Sequence, residues 1–272
     1  MQIWKPQYTY STNEEHGIIV TLEEPNLKDF SANLLGLGDL TTPSKPLDVL
    51  AVLFDLEGFT NFTRQVDPQL TVPEFISEFL IWLFDKIKDE IVLNKKQKQL
   101  WAELPFFSKF MGDGVLFLWK LDLDKIIAID QTRPTKQIQY EIQEFICNII
   151  ATLLDVCNQY NYFLKHASQK YVSLPSRLRC GISRGTVIPI GNGSDFVGPC
   201  INIASRLQKF YGLSFVFSAR GIDSNGFSDD YNGKFSKKRS AIRGIGENEL
   251  VYVLKDELET LDQKDKNHLK EP

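Results

Sequence analysis

Histidine is nearly missing from this chain. The three present, His16, His166 and His268, stand far apart with no ligand spacing, which argues against a zinc centre or a histidine-based catalytic triad. Cysteine is sparse as well. Cys147, Cys157, Cys180 and Cys200 show no CxxC spacing, the pattern of free thiols in a reducing cytoplasm. Basic excess is absent: 35 acidic residues outweigh 31 Lys and Arg, so the chain lacks the positive field that grips nucleic acid. No long hydrophobic run exists either. The most apolar stretch, Phe75 to Phe84, is interrupted by Ser77 and Glu78 and falls far short of the ~20 residues that span a bilayer. The opening MQIWKPQYTY has neither a basic n-region nor an apolar h-region. Together these absences lead to the expectation of a soluble, cytoplasmic protein with no nucleic-acid partner, no membrane partner and no built-in membrane sensor.

What is present suffices for a well-buried core. At 272 residues, 43% hydrophobic and 24% charged, the chain is long enough for one large domain or two small ones. Residues 1–47 read as an irregular extension packed on the main domain, with a short apolar patch at Leu34, Leu35 and Leu37 and a linker at Thr41 to Pro46. A strand over Asp48 to Leu56 follows and ends in VLFDLEGFT. Asp55 stands at its C-terminal edge and Gly58 opens the turn. A carboxylate there can hold a divalent cation, and the backbone N–H groups of the turn can hold phosphate oxygens. Thr71 and Glu74 form a capping-box pattern that predicts a helix starting at Thr71. Its apolar face comprises Phe75, Ile76, Phe79, Leu80, Leu83, Phe84, Ile87 and Ile91.

In FFSKFMGDGVLFLWK, two strand-like runs flank Gly112-Asp113-Gly114, a hairpin signal. A second long helix is expected from about Lys136 to Leu164. RLRCGISRGTVIPIG reads as two strands around Arg184-Gly185, followed by the Gly-rich loop GNGSDFVG and a helix in INIASRLQKF. Further strands are expected at Phe215 to Ser218 and Leu250 to Leu254, then a frayed charged tail from Lys255 to Pro272. The order β-α-β-β-α-β is a split βαβ arrangement. It sets acidic residues at the edges of two central strands, where two carboxylates can hold two metals about 3.5–4 Å apart for phosphoryl transfer. Asp113 alone would be an ordinary turn residue; Asp55 on the neighbouring strand favours a metal site.

Three segments, FDLEGFTNF (54–62), KFMGDGVLFLW (109–119) and RLRCGISRGTVIPIG…SDFVGPCINIASRLQ (177–208), resemble the class III adenylate/guanylate cyclase catalytic domain. The resemblance runs from about Asp48 to Leu254. It implies an α+β fold with a ferredoxin-like, palm-type core and extra αβ elements. Residues 48–254 would form the catalytic domain, 1–47 an N-terminal extension and 255–272 a charged tail. It further implies a lyase that closes a nucleoside triphosphate to a 3′,5′-cyclic nucleotide with release of pyrophosphate. Asp55, Leu56 and Asp113 match the metal-binding set for two Mn²⁺ or Mg²⁺ ions. Asn202 matches the ribose-orienting residue and Arg206 the transition-state arginine, four apart and so on one helix face at what reads as a buried edge. Lys109 and Asp195 match the base-reading pair, Arg243 a terminal-phosphate contact, and Phe59 and Thr60 the backbone donors to phosphate. In this family the metal aspartates and the Asn, Arg and base readers come from different subunits, so a head-to-tail homodimer with two equivalent sites is implied, and an inactive monomer.

The base itself stays open at this point. A lysine donor and a carboxylate acceptor satisfy adenine, cytosine or uracil equally. The base-pocket positions are Leu53, Met111 and Val197, whereas the family's adenine site often has aromatics at the counterparts of Leu53 and Val197. The block from Cys180 to Lys209, and the lack of an attached sensor, are most similar to the pyrimidine cyclases of bacterial Pycsar antiphage systems. That resemblance implies UTP converted to cyclic UMP, with CTP or ATP as alternatives, and a separate cyclic-nucleotide-binding effector. A catalytically silent nucleotide-binding regulator would lack a metal Asp or the transition-state Arg. A palm polymerase or diguanylate cyclase would carry a GG[DE]EF-like hairpin in place of MGDG.

Overall fold

The computed structural model describes residues 8–13, 17–22, 31–37, 40, 44–121, 128 and 134–272. Its contacts divide the chain into two units, residues 1–47 with 187–197, and residues 48–186 with 198–272. The first unit is not irregular throughout. Strands β1 (Tyr8–Asn13) and β2 (Gly17–Leu22) pair antiparallel, with Tyr10 opposite Val20. β1 (YTYSTN) is polar and β2 (GIIVTL) a short continuous apolar run, so neither shows the apolar–polar alternation that announces a half-buried strand. A 3₁₀ turn at Ala32–Leu35 holds part of the expected Leu patch. Residues 41–43 of the expected linker lie outside the described residues.

The second unit is built on a sheet. Strand β3 (Leu47–Glu57) leads through helices α1 (Phe59–Phe62) and α2 (Pro68–Ile91) to the short strands β4 (Val92–Asn94) and β5 (Gln99–Leu100). Then follow β6 (Phe107–Phe110), β7 (Gly114–Lys120) and helix α3 (Thr135–Ala167). Strand β8 (Arg177–Ile190), β9 (Asp195–Val197) and helix α4 (Pro199–Leu207) come next. The chain continues through β10 (Phe215–Ser218), β11 (Phe235–Ile242) and β12 (Gly246–Leu254) to helices α5 (Lys255–Thr260) and α6 (Gln263–Lys266). The sheet order is β11-β12-β10-β8-β3-β7-β6, with β9 paired to the end of β8 inside the first unit.

Alternation along the strands fixes the layers. Leu50, Val52, Phe54 and Leu56 share one core with Phe75, Phe79, Leu83 and Ile87 of α2 and Ile142, Ile146, Ile149 and Leu153 of α3. On β10, Phe215 and Phe217 join that core while Val216 turns to a second cluster, with Ile203 and Leu207 of α4. The sheet is thus covered by α2 and α3 on one face and by α4 on the other. Among the described residues no helix is long and apolar enough to cross a membrane.

Several expectations are corrected. Helix α2 starts at Pro68 after Asp67, so Thr71 lies inside it and its hydroxyl bonds the Asp67 carbonyl, and the expected capping box is absent. Proline is well suited to the first helical position, where no N–H is needed. Phe84, assigned to the apolar face, is 46% exposed. Arg177 to Ile190 forms one strand rather than two, and Gly185 sits within it, its missing Cβ making room for Cys200. The tail is not frayed: Leu269 is buried and Lys270 exchanges backbone hydrogen bonds with Arg239 of β11.

Candidate active site

Four element ends converge at one edge of the second unit's sheet. Strand β3 delivers Asp55 at its C-terminal end, and Asp55 lies opposite Gly114 of β7. The Leu56 N–H donates to the Asp113 carbonyl at 3.0 Å, which ties the hairpin turn to the strand carrying Asp55. Both glycines of the turn are required by geometry. Gly112 has φ +89°, a conformation that strains other residues, and a Cβ on Gly114 would stand 2.1 Å from the Phe54 carbonyl oxygen. The sequence GDG therefore holds Asp113 next to Asp55 for a steric reason.

Asp55 is 1% exposed. A buried carboxylate needs compensation, and β8 supplies it. Arg179 Nε lies 3.0 Å from Asp55 Oδ2 and its Nη2 contacts the same oxygen, while Nη1 is 3.4 Å from Glu57 Oε1. Arg177 Nε donates to Glu57 Oε2 at 2.6 Å, and this bond holds Glu57 below the ordinary carboxylate range against the opposing effect of its partial burial. Lys209, just past α4, places Nζ 3.2 Å from Asp55 Oδ1 and 3.9 Å from Asp113 Oδ2. That contact is an ion pair off the hydrogen-bonding direction, so Asp55 Oδ1 is buried with no hydrogen bond. The close approach of α4 depends on Gly181, where a Cβ would meet the Ala204 carbonyl oxygen at 2.2 Å.

Among the described residues no trio of His, Cys, Asp or Glu converges on a metal-sized space. The donor set available is the pair Asp55 and Asp113, with the adjacent Leu56 offering only its backbone. Hard carboxylate oxygens suit Mg²⁺ or Mn²⁺, and the unbonded Asp55 Oδ1 is an acceptor already withdrawn from water. These residues fit a divalent cation.

The remaining sequence candidates distribute as follows. Asn202 and Arg206 share the exposed face of α4, not a buried edge, because Cys200, Ile203, Ala204 and Leu207 fill the buried one. Arg206, Lys209 and Arg243 together line a concavity of about 240 Å³, with Arg243 in the turn between β11 and β12. Phe59 and Thr60 open α1 behind Gly58, which has φ +87°, so their N–H groups belong to the turn that a helix leaves without internal acceptors. Leu53 is 4% exposed and lies across from Leu116, whereas Met111 is 49% exposed at the hairpin turn. Lys109 is exposed on β6 opposite Leu116. Asp195 and Val197 belong to the first unit, where β9 sets them against Ile190 and Ile188. Asp195 Oδ1 accepts from the Phe196 N–H at 2.9 Å.

Sequence reasoning did not single out Arg179, Glu57 or Lys209. The available signal was alternation: Arg177 and Arg179 on one strand, Asp55 and Glu57 on another, each pair two residues apart. All four cysteines are free. Burial pushes the Cys147 thiol up to about 12 and the Cys200 thiol to about 11, so neither supplies a thiolate.

No protein-family model and no curated protein matches this chain. Solved structures do. The adenylyl cyclase CyaB from P. aeruginosa aligns with a TM-score of 0.53 at 12% identity, covering 78% of this chain and 96% of that one. The catalytic core of a rhodopsin-guanylyl cyclase with converted specificity, in complex with ATPαS, gives 0.48 at 18% identity, covering 78% and 98%. A bacterial light-regulated adenylyl cyclase gives 0.48 at 16% identity, covering 85% of this chain and 59% of that one. On the alignment with CyaB, the chain carries the α+β fold of a class III cyclase catalytic domain.

Proposed function

We propose that this chain is a nucleotidyl cyclase that closes a nucleoside triphosphate to its 3′,5′-cyclic monophosphate. The observation that carries the reading is the pairing of Asp55 and Asp113 at the sheet edge, with a buried and unbonded Asp55 oxygen. Asp55 and Asp113, with the Leu56 backbone carbonyl, would hold two Mn²⁺ or Mg²⁺ ions. Bound there, such ions supply Lewis-acid activation of the ribose 3′-hydroxyl and neutralise triphosphate charge. The 3′-oxygen attacks its own α-phosphorus in line. A P–O bond forms at the 3′-oxygen as its proton passes to water, and the bond to the β-phosphate bridge breaks, expelling pyrophosphate. Asn202 orients the ribose, and the Arg206 guanidinium meets charge developing on the α-phosphoryl oxygens. Arg243 shares the Arg206 concavity and suits the outer phosphates, while the Phe59 and Thr60 N–H groups donate to phosphate.

The working unit is a head-to-tail homodimer. Asn202 and Arg206 point outward from their own core, which supports their serving the aspartates of a second subunit. The preferred substrate is UTP, giving cyclic UMP, with CTP closely related. Leu53 offers no aromatic face for stacking a purine, and Lys109 with Asp195 supplies one donor and one acceptor. The product would act as a second messenger in antiphage defence, read by a separate effector. ATP is the second reading, favoured by the likeness to an adenylyl cyclase.

The test is incubation of the purified chain with Mn²⁺ and each of the four nucleoside triphosphates separately, with mass detection of products. Cyclic UMP as the main product is expected, with specific activity rising with protein concentration as dimers form. Cyclic AMP as the main product replaces the base assignment. No cyclic product from any nucleotide overturns the enzyme reading.

A further inference from the structure

The structure assigns Lys209 as a resident counter-cation of the Asp55–Asp113 pair, which a divalent metal must displace and which then turns toward the phosphates. The inference rests on the metal-site reading above and concerns how that site is held before metal arrives.

Two cations neutralise Asp55, and they differ in kind. Arg179 is fixed: its side chain is 16% exposed, two of its nitrogens meet Asp55 Oδ2, and a third reaches Glu57. Lys209 is loosely held: its side chain is 51% exposed, and Nζ stands 3.2 Å from Asp55 Oδ1 without hydrogen-bonding geometry. It also stands 3.9 Å from Asp113 Oδ2, which places the ammonium between the two carboxylates that would hold a metal. Both carboxylate oxygens that a metal would take are thus the ones Lys209 faces, and neither is the oxygen claimed by Arg179.

Departure costs Lys209 little. Half of its side chain is already in water, and the lysine stem is long and freely rotatable. A triphosphate bound with the metal at Asp55 and Asp113 would give the released ammonium a polyanion beside the carboxylates it leaves. The consequence is coupling. Metal alone must compete with Lys209, whereas metal arriving with a triphosphate finds the lysine drawn off to the phosphates, so each ligand strengthens the other.

The test reads Mn²⁺ binding directly, by the electron-paramagnetic-resonance signal of free Mn²⁺ in titrations of the full chain. Wild type, K209M, K209R and D55N are compared, each checked for folding by its thermal melt, with and without inorganic tripolyphosphate. Without tripolyphosphate, K209M should bind Mn²⁺ roughly 10-fold tighter than wild type, equivalent to about 1.4 kcal/mol. K209R should remain near wild type, and D55N should lose binding. Tripolyphosphate should tighten Mn²⁺ binding to wild type more than to K209M. Unchanged or weaker Mn²⁺ binding by K209M, with D55N still deficient, overturns the role of Lys209 and leaves the metal site standing. Mn²⁺ binding that is absent throughout, or insensitive to D55N, overturns both.

Discussion

Strands β3 and β8 are tied together by an Arg–Asp pair at each end, and the two ends behave differently. At one end, Arg184 Nη2 meets Asp48 Oδ2 at 2.7 Å and Arg184 Nη1 donates to the Gly221 carbonyl at 2.9 Å. At the other, Arg179 meets Asp55 while Lys209 crowds in as a second cation. Asp48 is 37% exposed and its charge is shared with water; Asp55 is 1% exposed and keeps an oxygen without a hydrogen bond. The same two residue types make a finished strut at one end and an acceptor with one oxygen left unbonded at the other. Stability alone accounts for the first. The second sets the loosely held Lys209 between Asp55 and Asp113, while Arg179 and Arg177 are committed to Asp55 Oδ2 and Glu57.

The largest expected effect comes from removing the two aspartates in parallel. Asp55→Ala should lower kcat by at least about 10³-fold, as for loss of a central catalytic group. Asp48→Ala should leave kcat within about twofold and cost around 0.5–1 kcal/mol in denaturant unfolding, the range for a partly exposed pair. Equal losses of activity would erase the contrast between the two ends. Next in size, Arg206→Ala should lower kcat about 10²–10³-fold, comparable to losing an oxyanion donor. Its Mn²⁺ affinity without nucleotide should stay at the wild-type value, since Arg206 has no contact with the carboxylates. The smallest effect sharpens the site end itself. Glu57 is depressed below 4.5 by Arg177, so its ionised form stabilises the fold at pH above that value. That contribution fades as pH falls through the lowered value. Glu57→Gln should therefore flatten the acid limb of the stability–pH curve, by under about 1 kcal/mol because both partners are partly exposed. Melting temperatures measured from neutral pH down into the acid limb would show it.

The adjacency of Asp55 and Asp113 is legible because the turn glycines around Asp113 and the apolar run before Asp55 are local signals. The strand at Phe215–Ser218 and the long helix α3 were legible for the same reason: their periodicity is complete within one segment. Arg179 and Lys209 were not. Their importance depends on the register of β8 against β3 and on where α4 ends over the sheet, and neither is written in any short window. Strand β11 is hard to read because its buried positions include Lys238 and Ser240 beside Phe235 and Ile242, which breaks the apolar alternation of FSKKRSAI. The outward face of Asn202 and Arg206 was misread because their Ile and Ala neighbours mark the opposite side of the same helix. The hairpin within residues 1–47 is hard to read because β1 is polar and β2, GIIVTL, is a short apolar run without alternation.

Gly181 has a further consequence. With Ala204 and Gln208 backbone atoms lying 2.2 and 2.4 Å from where its Cβ would be, α4 and β8 are seated backbone to backbone with no shim between them. Arg206 and Lys209 then share one rigid mount with Arg179, although they face different charges. Any tilt of α4 forced by a neighbour pressing on its outward face would carry the backbone at Lys209 with it, leaving only the lysine stem to take up the difference. One absent methyl group thus sets a hard mechanical stop between α4 and the strand that carries Arg179.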